Sequence, residues 1–255
     1  MSSRPVFKNG SLDKVEATRS QKVAMDGHVH LQSDMPWDLI ASNFSSHAPD
    51  HVPVCLIVES AGIDRFAELQ MTCDPWGATG LKDTATGLHF VAGRQVVSEE
   101  GLEILLIGSR DQSGEGQPAD RVIGAGFDRG AAVCLPWGFG KWLGKRRVLA
   151  GDIHKRLSSQ VILGDITNRP LHWHEPMFAG QRVLRGADNL PLPGSSDIVG
   201  TFGSIIEPKE EVTTADQLVA LLRDTAIMLE PYGKRKTARA SVFEQIRLRL
   251  NRGGG

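Results

Sequence analysis

Apolar residues in this chain come in short blocks. Seven runs rich in β-branched and aliphatic residues recur through its first three quarters: KVAMDGHVHL (22–31), VPVCLIVES (52–60), LHFVAGRQVV (88–97), LEILLIGS (102–109), AAVCLPWG (131–138), QVILGDI (160–166) and RVLRGAD (182–188). Val54 to Val58 and Val161 to Leu163 are apolar without alternation, as expected of strands covered on both faces. Between several of the runs lie helical patterns: AGIDRFAELQM (61–71), ADRVIGAGFDRG (119–130) and KRRVLAGDIHKRL (145–157). This succession predicts βα units and a parallel sheet or barrel. The third and fourth runs are separated only by SEEG, so a hairpin-like pair or a strand with a short excursion is expected there. Beyond Asp188, NLPLPGSSD (189–197) reads as a loop. TTADQLVALLRDTAIML (213–229) reads as a helix whose Thr214 and Gln217 form a capping box. A basic tail comes next, with a helix expected around Ala240 to Leu250.

Most of the runs end in polar or special residues: His30, Glu59, Gln95, Trp137 with Gly138, Asp165 and Asp188. The C-terminal ends of strands are where sites assemble in parallel α/β folds, so these residues share one expected address. Side chains at i, i+2 and i+4 of a strand share a face, and Asp26, His28 and His30 would converge if the first run is regular. Two histidines so spaced can bind one metal, with a later carboxylate completing the set. Asp188 at the end of the last run is that carboxylate, because the first and last strands of a closed barrel are neighbours. The plainer reading is a hydrogen-bonded histidine pair.

Composition narrows the classes. Hydrophobic residues make up 40% and charged residues 23% of the 255, ordinary for a globular domain and unlike a disordered chain or a coiled coil. A net charge of −1 provides no general field for nucleic acid or an anionic membrane, so neither partner is expected. Three cysteines (Cys55, Cys73, Cys134) without CxxC suggest neither a zinc ribbon nor a disulfide framework. Residues 1–22 lack the apolar core of a signal peptide, and no apolar run approaches the ~20 residues of a membrane span. A cytoplasmic protein is the expectation, and oligomeric state is not readable.

Other residues carry chemistry more loosely. PWGFGKW (136–142) offers Trp137 or Trp142 as a stacking face and Lys141 as an anion contact, or else a turn capped by packed tryptophans. Arg94 and Arg169 could clamp a phosphate or carboxylate in bidentate fashion, or pair with a neighbouring acid. Asp165 could be a ligand or general base, or a helix cap. The second histidine pair, His172 and His174, comes after Asn168-Arg169-Pro170 and reads as loop. The basic residues of the tail, Lys234 to Arg252, read as a solvated face.

DGHVHL in the first run, GADNLP in the last and seven strands instead of eight together resemble the PHP (polymerase and histidinol phosphatase) domain, a distorted (β/α)7 TIM-like barrel related to the amidohydrolases. The resemblance covers residues 22 to about 190. It implies a metal-dependent hydrolase of phosphoesters or similar anionic small molecules. It also implies a divalent cofactor (zinc, manganese or iron, one or two ions) and metal-binding roles for His28, His30 and Asp188. The family's other ligands are replaced: the second strand carries Glu59 and Ser60, the third Gln95, the fourth offers Glu103, the fifth reads LPWGFGKW, and the closing position is Asn189. On this reading Glu59 and Glu103 supplement the metal set. Asp188 and Asp165 are the catalytic carboxylates, and Arg94, Trp137, Lys141 and Arg169 bind substrate. The expected organisation is an N-terminal extension (1–21), the barrel (22–212) and C-terminal helices with the basic tail (213–255). The alternative is a barrel that has lost its metals and serves as a binding or scaffold protein.

Overall fold

A computed structural model describes residues 21–138, 141–192 and 194–235. Along the chain these form β1 (Val23–Val29), α1 (Trp37–His47), β2 (Val52–Ile57), α2 (Phe66–Leu69), β3 (Asp74–Pro75), β4 (Gly80–Lys82), β5 (His89–Val91), β6 (Gly93–Val97), β7 (Glu103–Ile107), α3 (Ala119–Asp128), β8 (Ala132–Pro136), α4 (Lys145–Leu157), β9 (Val161–Ile166), β10 (Val183–Gly186), β11 (Phe202–Ile206), α5 (Ala215–Arg223) and β12 (Glu230–Gly233), with 3-10 turns at Pro176–Phe178 and Ser195–Ile198. Every predicted strand run contains a strand. The helix expected over 61–71 shrinks to α2, because the Glu59 carboxylate captures the backbone N–H groups of Arg65 (2.6 Å) and Phe66 (3.3 Å) and delays the first turn. α3 buries Ala119, Val122, Ile123 and Gly126 at helical spacing. α5 carries the expected capping box, with Thr214 Oγ1 accepting from Gln217 N at 3.2 Å. The helix expected near Ala240 to Leu250 lies outside the described residues.

The fold is mixed α/β, but the described residues do not form a closed (β/α)7 ring. They form two sheets: β12-β11-β1-β2-β5-β4-β3, and β10-β9-β8-β7-β6. The short turn between β6 and β7 forces an antiparallel pair, and β7 also pairs antiparallel with β8, so strand direction reverses where a barrel of βα units would keep it. The two edge strands of the second sheet, β6 and β10, nevertheless lie beside the ends of β2 and β1 at two seams. At one, β2 extends to a single Glu59–Arg94 bridge, with Glu59 N donating to Gly93 O (3.2 Å) and Gln95 N to Glu59 O (2.9 Å). At the other, Asp188 N donates to His28 O (2.8 Å). There a Cβ on Gly186 would strike His28 N and one on Gly27 would strike Leu184, so glycine permits the close approach.

Three apolar layers result. Met25, Val54, Leu56, Leu105, Ile107, Cys134, Ile162 and Leu184 face one another on the inner sides of the sheets, with Leu218 and Leu222 of α5. The outer faces of β7 to β9 (Ile104, Leu106, Val133, Leu135, Val161, Leu163) pack on α3 and α4. α1 places Ile40 and Phe44 on Ala24, Val29, Cys55 and Ile57. The three cysteines are free, and no described helix is long and apolar enough to cross a membrane.

Candidate metal centre

Strict alternation would put Asp26, His28 and His30 on one face, and the structure corrects this. Asp26 pairs with Cys55 and Val29 with Ile57, so three steps along β1 meet two along β2. The extra residue reverses the facing of the positions after it. Asp26 points into the α1 layer, accepting hydrogen bonds from Ala187 N (2.8 Å), Gly200 N (2.9 Å) and His28 N (3.3 Å). His28 and His30 turn inward, opposite Val29 and Leu31, which join that layer.

Asp188 meets them across the seam. Its Oδ1 lies 3.4 Å from His28 Nε2 and 3.5 Å from His30 Nε2, and the two Nε2 atoms are 3.2 Å apart. One ligand atom from each residue falls within 4.8 Å of the others. Asp188 has a left-handed backbone (φ 48°), a conformation that aspartate tolerates better than most side chains. The next residue holds it in place: Asn189 Oδ1 accepts from His30 N and its Nδ2 donates to His30 O, each at 2.8 Å. Gln95 Oε1 lies 3.0 Å from His28 Nε2. Buried His28 Nδ1 has no partner among the described residues.

Electrostatics leave the set ready for a cation. Burial lowers His28 to about 4, with His30 and Lys141 adding to the shift and Asp188 opposing it, so His28 is neutral at pH 7. Burial alone would raise the Asp188 carboxyl, but His28, His30 and Lys141 outweigh it and hold the group well below the usual carboxylate range. Two imidazole nitrogens and one ionised carboxylate oxygen suit a divalent transition metal or zinc. Among the described residues this is the one such three-ligand group.

The group opens on a cavity of about 240 Å³ lined by Gln95, Glu103, Lys141, Glu59 and Ser60, with Leu31, Ile63, Leu190 and Pro191 as apolar walls. Glu59 and Glu103, expected as further ligands, line this cavity but stand outside the three-ligand group. Lys141 is ion-paired with Glu103. Gln32, Ile63, Leu190 and Pro191 were not read as site residues in the sequence; their signal is that they lie three to six residues past strand ends.

Four expected site residues lie elsewhere, for one reason: they face outward. Val96 packs in the outer layer, so Arg94 faces that way too, and its guanidinium serves the backbone carbonyls of Ile63 (2.6 Å) and Ser60 (2.8 Å) beside Glu59 (3.8 Å). Trp137 joins Val133 and Leu135 in the same layer and meets Trp173 edge-on. Asp165 is in phase with Val161 and Leu163 and pairs with Arg169 through two bonds of 2.6 Å, both residues buried. It therefore takes no part in the cavity, and neither does Arg169. His172 and His174 are exposed loop residues.

No protein family and no curated protein matches this chain by sequence. Its fold is shared with solved structures. PsfC from Pseudomonas syringae PB-5123 superposes with a TM-score of 0.55 at 12% identity, covering 89% of this chain and 98% of that one. The lesion-specific endonuclease PfuEndoQ from Pyrococcus furiosus superposes at 0.52 and 14% identity, over 82% of this chain but only 58% of its own length. A two-domain protein from Bacteroides vulgatus ATCC 8482, described as containing a predicted PHP-like metal-dependent phosphoesterase, gives 0.49 at 12% identity over 92% and 70% of the two chains. At such identities the likeness is one of fold. The expected absence of a nucleic-acid partner gains no support from it, since one protein of this fold is an endonuclease.

Proposed function

We propose that this protein is a metal-dependent hydrolase acting on a phosphoester, with His28, His30 and Asp188 holding a divalent cation. The observation that carries the reading is the convergence of these three ligand atoms within 4.8 Å at one end of a cavity large enough for a small ester. A divalent cation in such a set supplies Lewis acidity towards a phosphoryl oxygen and lowers the pKa of water towards ~7. The chain's own residues do the rest. Asn189 fixes His30, the glycine seam brings Asp188 to the histidines, and Lys141, steadied by Glu103, presents its ammonium to the anionic group. The apolar walls take the organic part of the ester. Zinc, manganese and iron all suit the donors, and one ion matches the three-ligand group. The likeness to a lesion-specific endonuclease adds nucleic-acid phosphodiesters to the substrates worth trying.

A second reading, a ligand-binding protein without catalysis, draws on the commitment of Arg94 and Arg169 to other partners, which leaves Lys141 as the one cation lining the cavity among the described residues. The experiment that separates the two is metal content by mass spectrometry on untagged protein, beside His28→Ala and Asp188→Asn, with hydrolysis of p-nitrophenyl phosphate and its diester measured on each. About one equivalent of metal, lost in both variants together with hydrolysis, supports the enzyme. A wild type that takes up no ion from zinc, manganese or iron solutions sinks it.

A further inference from the structure

The outer face of β9 and β10 gathers more positive charge than it can neutralise. Arg185 stands directly beside Asp165 in the β9–β10 ladder. Both oxygens of Asp165 are already taken by Arg169, through Nε and Nη2. Arg185 is left with a single bond from Nη1 to Val183 O (3.0 Å) and has no carboxylate within ion-pair distance among the described residues. Arg235, entering from beyond β12, donates to the carbonyls of Leu171 (3.0 Å), Pro170 (3.3 Å) and Trp173 (3.5 Å). Arg169 donates to that same Trp173 carbonyl, so two guanidinium groups meet at one oxygen. Three arginines thus surround one carboxylate. Arg169 is 6% exposed, and Arg185 and Arg235 are half-buried.

Partly desolvated like charges are costly unless an anion joins them. Burial lowers the pKa of Arg185, with Asp165 opposing and Arg169 and Arg235 reinforcing; these three are the charged groups that face it. A guanidinium fork matches the oxygens of a phosphate better than any other side chain does. We propose that Arg185 and Arg235, set beside the buried Asp165–Arg169 pair, form a binding site for a phosphate group on the outer face of β9 and β10, separate from the candidate metal centre. The phosphate belongs either to a small phosphorylated molecule or to a nucleic-acid backbone.

The test uses the full chain with EDTA present and also as His28→Ala, so that the metal centre contributes nothing and the fate of the hydrolase reading does not decide this one. Inorganic phosphate is titrated against chloride at matched ionic strength, reading the thermal unfolding midpoint and the fluorescence of Trp173, which is 38% exposed. A fluorescein-labelled oligothymidylate is titrated in parallel by anisotropy. Phosphate should raise the midpoint of the wild type and of His28→Ala alike. Arg185→Gln and Arg235→Gln, each checked for folding by circular dichroism, should weaken binding about tenfold or more. Arginine-dependent binding of phosphate alone identifies a small phosphorylated ligand. Arginine-dependent oligonucleotide binding that exceeds it identifies a nucleic-acid backbone. Binding of neither probe, or binding unchanged in both glutamine variants, overturns the proposal.

Discussion

The inner and outer faces of the two sheets hold similar residues, near strand ends, to opposite effect. On the inner side, His28, His30 and Asp188 converge on a cavity with lone pairs left to offer. On the outer side, Asp165 and Arg169 satisfy each other completely, and Arg94 is committed to carbonyls. An acid at a strand end is therefore not chemistry by itself. Which face it takes decides whether its charge is available or consumed, and one extra residue is enough to change that face.

The largest effect should come from breaking the consumed pair. Asp165→Ala leaves the Arg169 guanidinium buried without its carboxylate and should cost about 3–5 kcal/mol of stability by chemical denaturation. Whatever folds should keep its metal. Should it instead lose metal and keep its stability, the contrast between the faces fails.

Next in size is an acid sensitivity rooted in the core. Burial lowers His89 to about 4, and its Nδ1 has no partner among the described residues. A histidine so shifted contributes stability that is complete above its ordinary value of 6.5 and is lost as pH falls from there towards 4, because the unfolded chain takes the proton first. The loss should reach on the order of 3 kcal/mol between pH 7 and pH 4. A stability curve for His89→Gln that keeps the wild-type slope would refute the assignment.

Gly186→Ala acts on the seam itself. Its Cβ would meet His28 N, so about 1–3 kcal/mol of stability should go, together with metal affinity. Retention of full metal content would show that the seam does not set the site. Smallest in stability is His28→Ala, which deletes a buried ring nitrogen that lacks a partner. Denaturation midpoints should shift by less than Asp165→Ala shifts them, while metal content drops to background.

Much of this was legible in the sequence. Continuous apolar runs marked the strands because burial on both faces leaves no room for polar residues. α3 and α5 were visible through spacing and a capping box. α1 was hidden by its serines and asparagine, and β3, β4 and β12 are too short to carry a pattern. β11 reads FGSII and comes after a stretch that looked like loop alone. The placing of His28, His30 and Asp188 at strand ends could be read from position, but the facing of Arg94, Trp137, Asp165 and Arg169 could not. Facing depends on register, and the irregularity in β1 is set by its pairing with β2, which nothing local announces.

The clamp between Asn189 and His30 joins residues 159 positions apart. Closing so long a loop is slow, and contacts of that span form after local ones. During synthesis both histidines leave the ribosome long before Asp188 is made. In the proposed centre a metal captured at that stage would have only two of its three ligands, and the third would arrive only when the last strand of the second sheet reaches the first.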